Sequence, residues 1–293
     1  MTSAQVGGSL PVAFPVVGRA RHASWAGLDL TQPRVMAVLN VTPDSFSDGG
    51  SRSGPDAAIA AGLAMSQDGA DIIDVGGEST RPGAAPVTPD QEQDRIIPVI
   101  RALAAASVRV SVDTRNGSTM RAALNAGASI INDVSGLSHD RRAAGIVAEF
   151  GGPVVLMHMR GTPATMASHA RYADVVQEVR AELIDRIRAA HAAGIRDEQI
   201  VIDPGIGFAK QAEQSMAILR GLPDLGSLGY PILVGASRKS FVGALSGEPR
   251  PDRRLGGSVA AGLFALAQGA SILRVHDVRE TVQAVRVWHT LAN

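Results

Sequence analysis

The chain reads VRVSVDTRNGSTMRAALNAGASIINDV at residues 108–134, and this stretch contains one complete strand–helix–strand unit. Residues 108–112 and 129–132 are short, mostly apolar runs that predict strands, and residues 116–125 have the apolar spacing of a helix. Gly127 follows that predicted helix, where a glycine commonly ends a helix in the left-handed conformation. The pattern is therefore typical of a repeating βα fold.

The same unit recurs along most of the chain. The predicted strands are eight: 35–39, 71–75, 108–112, 129–132, 153–157, 200–202, 231–234 and 271–275. The predicted helices are also eight: 55–67, 89–105, 116–125, 141–149, 174–193, 213–219, 254–267 and 278–291. Eight units at this length favour a single-domain α/β fold, a closed (β/α)8 TIM barrel. An open, doubly wound sheet is the structural alternative, because eight parallel strands can also lie side by side without closing.

The barrel is predicted to occupy residues 34–293, and residues 1–33 are predicted to be an N-terminal extension. The extension mixes Gly, Pro, Ser and short apolar pieces without sustained periodicity. The regular alternation of strand and helix patterns begins only at Arg34.

Composition narrows the class of protein. The chain has 293 residues, of which 45% are hydrophobic and 19% charged, so a large buried core is expected and disorder over most of the chain is excluded. Its 28 basic and 28 acidic residues balance, which gives no reason to expect nucleic acid or an anionic membrane as a partner. An anionic substrate must therefore be bound by local groups.

Cysteine is absent, which excludes disulfides, thiolate metal sites and a cysteine nucleophile. The sequence shows neither a signal-peptide pattern at its start nor an apolar run long enough to span a bilayer. We therefore expect a cytoplasmic protein.

The carboxyl ends of the predicted strands carry polar or special residues, and in a TIM barrel these ends form the active-site face. In chain order they are Asn40, Gly76-Gly77-Glu78, Asp113, Asn132-Asp133, Met157-His158, Asp203, Ser237-Arg238-Lys239 and Arg274-Val275-His276. Helix capping is an equally good explanation for any one of the Asp, Asn or Ser residues, but a poor one for all eight ends together.

One group of these residues suits a nitrogen-rich ligand. Asp113, Asn132 and Asp203 follow the third, fourth and sixth strands and can form hydrogen bonds with a planar heterocycle that presents N–H groups. Lys239 adds a compact charge that suits a ring carbonyl or ring nitrogen. The chain has only one other lysine, Lys210, which is a reminder that chance can place a single lysine here.

A second group suits an oxyanion. Asn40, Arg274 and His276, together with Arg81, offer neutral or cationic hydrogen-bond donors of the kind that a diphosphate requires. The predicted site is therefore bipolar, with carboxylates at one side and donors at the other.

Two loops rich in Gly, Pro and small polar residues follow the first two strands, at residues 40–50 and 76–83. They are longer than usual βα turns, which predicts mobile covers over the site, although ordinary connections remain an equal alternative.

Two other features point away from further sites. His158 is expected to be a hydrogen-bonded histidine of the barrel wall rather than a metal ligand. Residues 205–208 read GIGF, which lacks the third glycine and the later acidic residue of a dinucleotide-binding motif.

Seven segments together resemble the dihydropteroate synthases, a pterin-binding TIM-barrel family. They are NVTPDSFSDGG at 40–50, DVGGESTRPG at 74–83, SVDT at 111–114, INDVSG at 131–136, DPGIGF at 203–208, SRKS at 237–240 and RVH at 274–276. The similarity runs from about residue 34 to the C-terminus and does not include the extension.

The resemblance implies an activity and a set of ligands. The activity is the joining of (7,8-dihydropterin-6-yl)methyl diphosphate to 4-aminobenzoate in tetrahydrofolate biosynthesis, a transferase reaction that uses Mg²⁺ and a homodimeric enzyme. By the same resemblance, the pterin pocket consists of Asp113, Asn132, Asp203 and Lys239, with Met157 as an apolar wall.

The resemblance also implies the sites for the other groups. Diphosphate is expected at Asn40, Thr80, Arg274 and His276, with Mg²⁺ held between Asn40 and the diphosphate. The residues expected around 4-aminobenzoate are Arg81, Pro82, Phe208, Lys239 and Ser240. The residues expected to be catalytic are Asp113, Lys239, Arg274 and His276.

Two rival functions remain open at this point. A pterin-binding methyltransferase resembles the same barrel and pocket but has no need of Asn40, Thr80, Arg274 and His276 for diphosphate. A catalytically silent barrel that only binds ligand is the rival from another class, and only an activity assay separates it from the enzyme.

Overall fold

The computed structural model describes residues 21–42, 54–79 and 87–292. Two short strands, β1 (Ser24–Trp25) and β2 (Leu28–Asp29), form a hairpin that precedes the barrel. The barrel strands are β3 (Arg34–Asn40), β4 (Ile72–Gly76), β5 (Val110–Asp113), β6 (Ile130–Asp133), β7 (Val154–Met157), β8 (Ile200–Asp203), β9 (Leu233–Val234) and β10 (Ile272–Val275). They form one eight-stranded parallel sheet in the order β8-β7-β6-β5-β4-β3-β10-β9.

The two ends of this sheet meet. Ile202 of β8 forms a parallel bridge with Ile232, just before β9, and its backbone N–H donates to the Pro231 carbonyl at 3.0 Å. The sheet is therefore a barrel, as the sequence predicts, and the alternative of an open sheet is wrong. The predicted strand 231–234 is shorter in the structure, because only Leu233–Val234 continue the pairing with β10.

Helices connect the strands. They are α1 (Pro55–Gln67), α2 (Pro89–Ala105), α3 (Gly117–Asn125), α4 (Ala143–Phe150), α5 (Val175–Ala192), α6 (Ala212–Arg220), α7 (Leu222–Gly226), α8 (Ser240–Ser246), α9 (Leu255–Ala267) and α10 (Val278–Ala292). All eight predicted helices are present, with ends within two residues of the prediction. The short helices α7 and α8 were not predicted, since five and seven residues are too few to establish a helical period.

Local sequence sets the ends of these helices. At the start of α2 the Thr88 side chain accepts from the Gln91 N–H at 3.3 Å, and the Gln91 side chain accepts from the Thr88 N–H. At the end of α3, Gly127 has φ +107°, a backbone conformation that a side chain disfavours. Gly69 and Gly194 follow α1 and α5 with φ +101° and +94°, in the same conformation.

Apolar side chains fill the barrel in two places. A large cluster lies between the sheet and the surrounding helices and includes Ile73, Val112, Leu156 and Leu183, all fully buried. A second cluster fills the amino-terminal half of the barrel interior, where seven strands each contribute one residue: Met36, Ile72, Ile130, Val155, Val201, Leu233 and Ile272.

The β1–β2 hairpin closes the barrel at the amino-terminal ends of its strands, which we call the lower end. Trp25 and Leu28 are 2% and 7% exposed and pack onto the second cluster. The Trp25 indole N–H donates to the Gln199 carbonyl at 2.8 Å. Residues 21–33 lie within the predicted extension, and in the structure they contribute directly to the barrel core.

None of the helices in the described parts of the chain is both long and apolar enough to cross a membrane.

Candidate active site

A polar layer lies above the lower apolar cluster, inside the carboxyl end of the barrel. Side chains alternate along a strand, so the residue two positions after an inward-facing one also faces inward. Four strands follow this rule with a polar residue: Asp74 follows Ile72, Asn132 follows Ile130, Asp203 follows Val201 and Arg274 follows Ile272. The period of two therefore brings residues from distant parts of the chain into one layer.

Arg274 lies at the centre of this layer. Its Nε donates to Asp74 Oδ2 at 2.6 Å, and its Nη2 donates to Asp113 Oδ2 at 2.6 Å. Asn132 Nδ2 donates to the same Asp74 oxygen at 2.9 Å. One guanidinium thus holds two buried carboxylates, which are 0% and 8% exposed, at a fixed separation.

Burial changes the acidity of these groups. Loss of solvent, together with the nearby charge of Asp74, raises the pKa of Asp113 to about 7, against the opposing effect of the Arg274 charge. Burial disfavours the charge of Arg274, but Asp74 and Asp113 outweigh that effect and hold its pKa above the ordinary value. Arg274 therefore stays charged, whereas Asp113 is poised to exchange a proton near neutral pH.

Asp203 and Lys239 form the other side of the layer. Asp203 Oδ1 accepts from the Gly205 N–H at 2.7 Å, and burial raises the pKa of this carboxyl while Lys239 opposes the change. Lys239 precedes α8; its Nζ donates to the Ile206 carbonyl and lies 4.7 Å from the centre of the Phe208 ring. Burial lowers the pKa of Lys239 to about 8, and Asp203 offsets part of that shift.

The remaining predicted residues surround this layer. Met157 is buried at the end of β7 with Val134, and Asn40 is half-buried at the end of β3. His276 follows β10, and its ring Nδ1 lies 3.1 Å from the Ser237 hydroxyl oxygen. Ser240 is exposed at the start of α8.

Three predicted residues, Thr80, Arg81 and Pro82, lie outside the described residues. So do most of the two loops predicted to cover the site, namely 43–53 and 80–86. Their assignments stay predictions.

Sequence reasoning missed two members of this region. Asp74 is the partner of both Asn132 and Arg274, and its signal was a single carboxylate in the apolar strand sequence IIDVG. Lys210 is only 8% exposed and lies 2.9 Å from His158 Nδ1. His158 is the hydrogen-bonded histidine of the barrel wall that the sequence predicts, since its Nε2 lies 2.9 Å from Glu182.

Comparison with known proteins identifies the family. The family described as pterin binding enzyme matches residues 36–276. The dihydropteroate synthase of Mycobacterium leprae is 48% identical over 266 residues, which are 89% of this chain and 94% of the relative. The synthase of Escherichia coli strain K12 is 47% identical over 266 residues, which are 90% of this chain and 94% of that relative. The chain belongs to the dihydropteroate synthases.

Solved structures of dihydropteroate synthases have the same architecture. The Xanthomonas albilineans synthase with 4-aminobenzoic acid gives a TM-score of 0.86 at 47% identity, covering 94% of this chain and 98% of that chain. The same organism's synthase in complex with 7,8-dihydropteroate gives a TM-score of 0.83 at 46% identity, covering 90% of this chain and 95% of that chain. Membership makes this chain a pterin-binding transferase of folate biosynthesis, which argues against the methyltransferase alternative.

Proposed function

We propose that this site joins (7,8-dihydropterin-6-yl)methyl diphosphate to 4-aminobenzoate, giving 7,8-dihydropteroate and diphosphate. The observation that carries the proposal is the polar layer itself, in which Arg274 holds Asp74 and Asp113 beside Asn132. The Xanthomonas albilineans structures with 4-aminobenzoic acid and with 7,8-dihydropteroate contain one substrate and the product of this reaction.

The pterin is proposed to bind against Asp113, Asn132, Asp203 and Lys239. The carboxylates accept from the N–H groups of the heterocycle, and the Lys239 ammonium faces its carbonyl or a ring nitrogen. Met157 belongs to a small apolar cluster at this end of the barrel and provides a surface for the ring. Carboxylates this close to the ligand also stabilise positive charge that spreads into the pterin during the reaction.

The diphosphate is proposed to bind at Asn40, Thr80, Arg274 and His276. Arg274 uses Nε and Nη2 to hold its two carboxylates, so Nη1 can contact a diphosphate oxygen without breaking either pair. The guanidinium then links the two substrate groups, because it touches the carboxylates around the pterin and the leaving group together.

Departure of diphosphate from the pterin methylene carbon is the difficult step. The carbon–oxygen bond breaks with its electron pair going to diphosphate, and the amine nitrogen of 4-aminobenzoate then bonds to the carbon and loses a proton. No strong base is needed, since that proton leaves an acidic ammonium. Arg274 and His276 are proposed to stabilise the charge that grows on the leaving diphosphate.

The residues present fit a Mg²⁺ ion. The amide oxygen of Asn40 is a hard ligand at the end of β3, and the described ranges contain no group of three or more His, Asp or Glu residues arranged to hold a metal ion. That donor set suits Mg²⁺, which keeps water molecules and binds through one protein ligand plus substrate phosphates. When bound, the ion would neutralise charge on the diphosphate.

The second substrate is proposed to lie beside Phe208, Lys239 and Ser240, with Arg81 and Pro82 from the loop that follows β4. The Phe208 ring, whose centre lies 4.7 Å from Lys239 Nζ, supplies an aromatic contact for the ring of 4-aminobenzoate. The cytoplasmic location expected from the sequence remains part of the proposal.

A homodimer is also proposed. Within the described residues, the large apolar side chains that stay exposed all lie on the last three helices: Leu245, Phe264, Val287 and Leu291. An apolar surface of this kind is typical of a protein–protein interface. Light scattering of the wild type and of Phe264→Glu tests it, and a monomeric wild type would contradict it.

The activity itself is tested by mixing the purified protein with both substrates and Mg²⁺ and detecting 7,8-dihydropteroate by mass. Omission of 4-aminobenzoate and chelation of the metal are the controls, and both should prevent product formation. A folded protein that forms no product with all three present would overturn the proposed function.

A further inference from the structure

Lys210 is the one lysine that the proposed reaction does not use. It is 8% exposed, and its ammonium has three partners: His158 Nδ1 at 2.9 Å, the Gly205 carbonyl at 3.1 Å and the Phe208 carbonyl at 3.1 Å. A protonated lysine has three N–H donors and no acceptor. All three partners of Lys210 can accept, so they match the three donors of the ammonium; burial lowers the pKa of Lys210 to about 7, and Asp203 opposes that shift.

This arrangement fixes the protonation of His158. When Lys210 is protonated, the nitrogen that faces it accepts, which places the ring proton on Nε2, 2.9 Å from Glu182. Burial, together with the Lys210 charge, lowers the pKa of His158 to about 4, although Glu182 opposes both effects. The histidine is therefore neutral, and Glu182 is in turn held by Arg160 Nε at 2.9 Å.

The two carbonyls bonded to Lys210 belong to Gly205 and Phe208, which lie near the start and the end of the loop that follows β8. Gly205 and Gly207 have φ +68° and +77°, and Ala209 has φ +48°, a conformation that costs a non-glycine residue energy. Such a loop keeps its shape only where surrounding contacts impose it. Gly205 also packs against the His158 carbonyl so closely that a side-chain carbon there would lie 2.0 Å from that oxygen.

The same loop carries two contacts of the candidate site. The Ile206 carbonyl accepts from Lys239 Nζ, and the Phe208 ring lies 4.7 Å from that nitrogen. Residues 206 and 208 thus set where the Lys239 ammonium and the aromatic surface lie.

We infer that Lys210 is a positioning residue for the second substrate: by holding the Gly205 and Phe208 carbonyls, it places the Phe208 ring and the Lys239 ammonium where 4-aminobenzoate binds. This inference rests on the proposed function and adds a residue that touches neither substrate. The chain of hydrogen bonds runs from Glu182 on α5 through His158 and Lys210 to the site loop.

Lys210→Met is the test, because methionine has similar volume and no donor. The KM for 4-aminobenzoate should rise about tenfold or more, since displacing a contact group by a fraction of an ångström has effects of this size. The Kd for the pterin substrate should rise by a smaller factor than this KM, because Asp113 and Asn132 lie on strands that Lys210 does not contact, whereas Asp203 and Lys239 lie beside the loop.

Gln199→Met is the matched control. Gln199 is 4% exposed and donates to the Gly152 carbonyl at 2.9 Å, and it immediately precedes β8, whereas Lys210 lies in the loop that follows the other end of this strand. This variant should lose stability without any change in the KM for 4-aminobenzoate. An unchanged KM in Lys210→Met, or an equal rise in Gln199→Met, would overturn the inference.

Lys210→Gln carries the same test if the methionine variant does not fold, since its amide can donate to the two loop carbonyls. It should restore part of the affinity for 4-aminobenzoate, and a KM as high as expected for Lys210→Met would count against the loop contacts.

Nitrogen NMR of the His158 ring gives a readout independent of catalysis. Loss of the lysine should raise the pKa of His158 from about 4, and an unchanged pKa would contradict the network. If the wild type forms no dihydropteroate, the proposed function fails while the NMR result still reports on Lys210.

Discussion

The two ends of the barrel interior are built by the same strands and have opposite character. At the lower end, seven strands each contribute one apolar side chain, and Trp25 covers them. Two residues farther along four of these strands, the side chains are Asp74, Asn132, Asp203 and Arg274. Each of these four strands therefore contributes an apolar side chain to the core near its start and a polar side chain to the candidate active site near its end.

The two ends also contribute differently to the free energy of folding. Burying apolar groups stabilises the lower end, whereas burying Asp113 and Lys239 shifts the pKa of both groups towards neutrality, the first to about 7 and the second to about 8. Charges held out of water are costly unless they are paired, so the polar end depends on Arg274.

Arg274→Met should have the largest effect and should break the polar end alone. It leaves the Asp74 and Asp113 carboxylates buried without their cation, which we expect to cost about 3–5 kcal/mol of stability and to abolish product formation. Urea unfolding and product detection measure the two effects. A variant of wild-type stability would show that the carboxylates do not need the guanidinium.

Trp25→Ala should reach a similar loss of stability, about 3–5 kcal/mol, without affecting the site. The substitution leaves a cavity beneath the second apolar cluster and removes the hydrogen bond from the indole to the Gln199 carbonyl. Activity per folded molecule should stay that of the wild type. The matched control is Trp288→Ala on α10, which should cost less because that ring is only partly buried; a loss of catalysis in Trp25→Ala would show that the two ends are coupled.

Asp113→Asn removes a charge from the polar end of the barrel while keeping nearly the same side-chain volume. We expect the affinity for the pterin substrate to fall by about 1.5–3 kcal/mol, because an amide presents a donor where the heterocycle also donates. Calorimetry measures the affinity. Unchanged binding by the folded variant would remove Asp113 from the pocket.

The same variant should alter the pH dependence of stability. Burial raises the pKa of Asp113 in the folded chain to about 7, whereas the unfolded carboxyl titrates near about 3.9. The stability from this group is full below about pH 4 and is lost as the pH rises through about 7. The free energy of unfolding of Asp113→Asn should thus fall less than that of the wild type over this interval, and parallel curves would contradict the shift.

Phe208→Leu should have the smallest effect. It removes the ring beside Lys239 and should weaken binding of 4-aminobenzoate by about 0.5–1.5 kcal/mol, the usual size of an aromatic contact. The KM for 4-aminobenzoate is the measurement. Phe150→Leu, on α4 at the lower end, is the control and should leave that KM unchanged.

The sequence alone was sufficient to predict the repeated strands and helices of the barrel. Helical and strand periods are local signals, and glycines such as Gly127 mark helix ends, so eight strands and eight helices could be predicted with short errors at their ends. Strands of two residues leave no period to detect, which is why the β1–β2 hairpin inside residues 1–33 was missed.

The partners inside the site could be predicted only in part. Polar strand ends identified Asp113, Asn132, Asp203 and Arg274, but which of them pair depends on the register of strands far apart in the chain. Asp74 and Lys210 were missed because Asp74 lies inside a predicted strand rather than at its end, and Lys210 lies in a loop several residues after one.

The pairing of Arg274 with Asp74, 200 residues apart in sequence, has a consequence for synthesis of the protein. β10 lies between β3 and β9 in the sheet and follows the other seven barrel strands in the sequence, so it is synthesised after them. Until it arrives, the carboxylates of β4 and β5 have no guanidinium to hold them, so a nascent or truncated chain keeps an unfinished barrel in which two acids repel each other. The site can therefore assemble only after β10 has been synthesised, and a polypeptide cut short before residue 274 lacks the cation that pairs with both carboxylates.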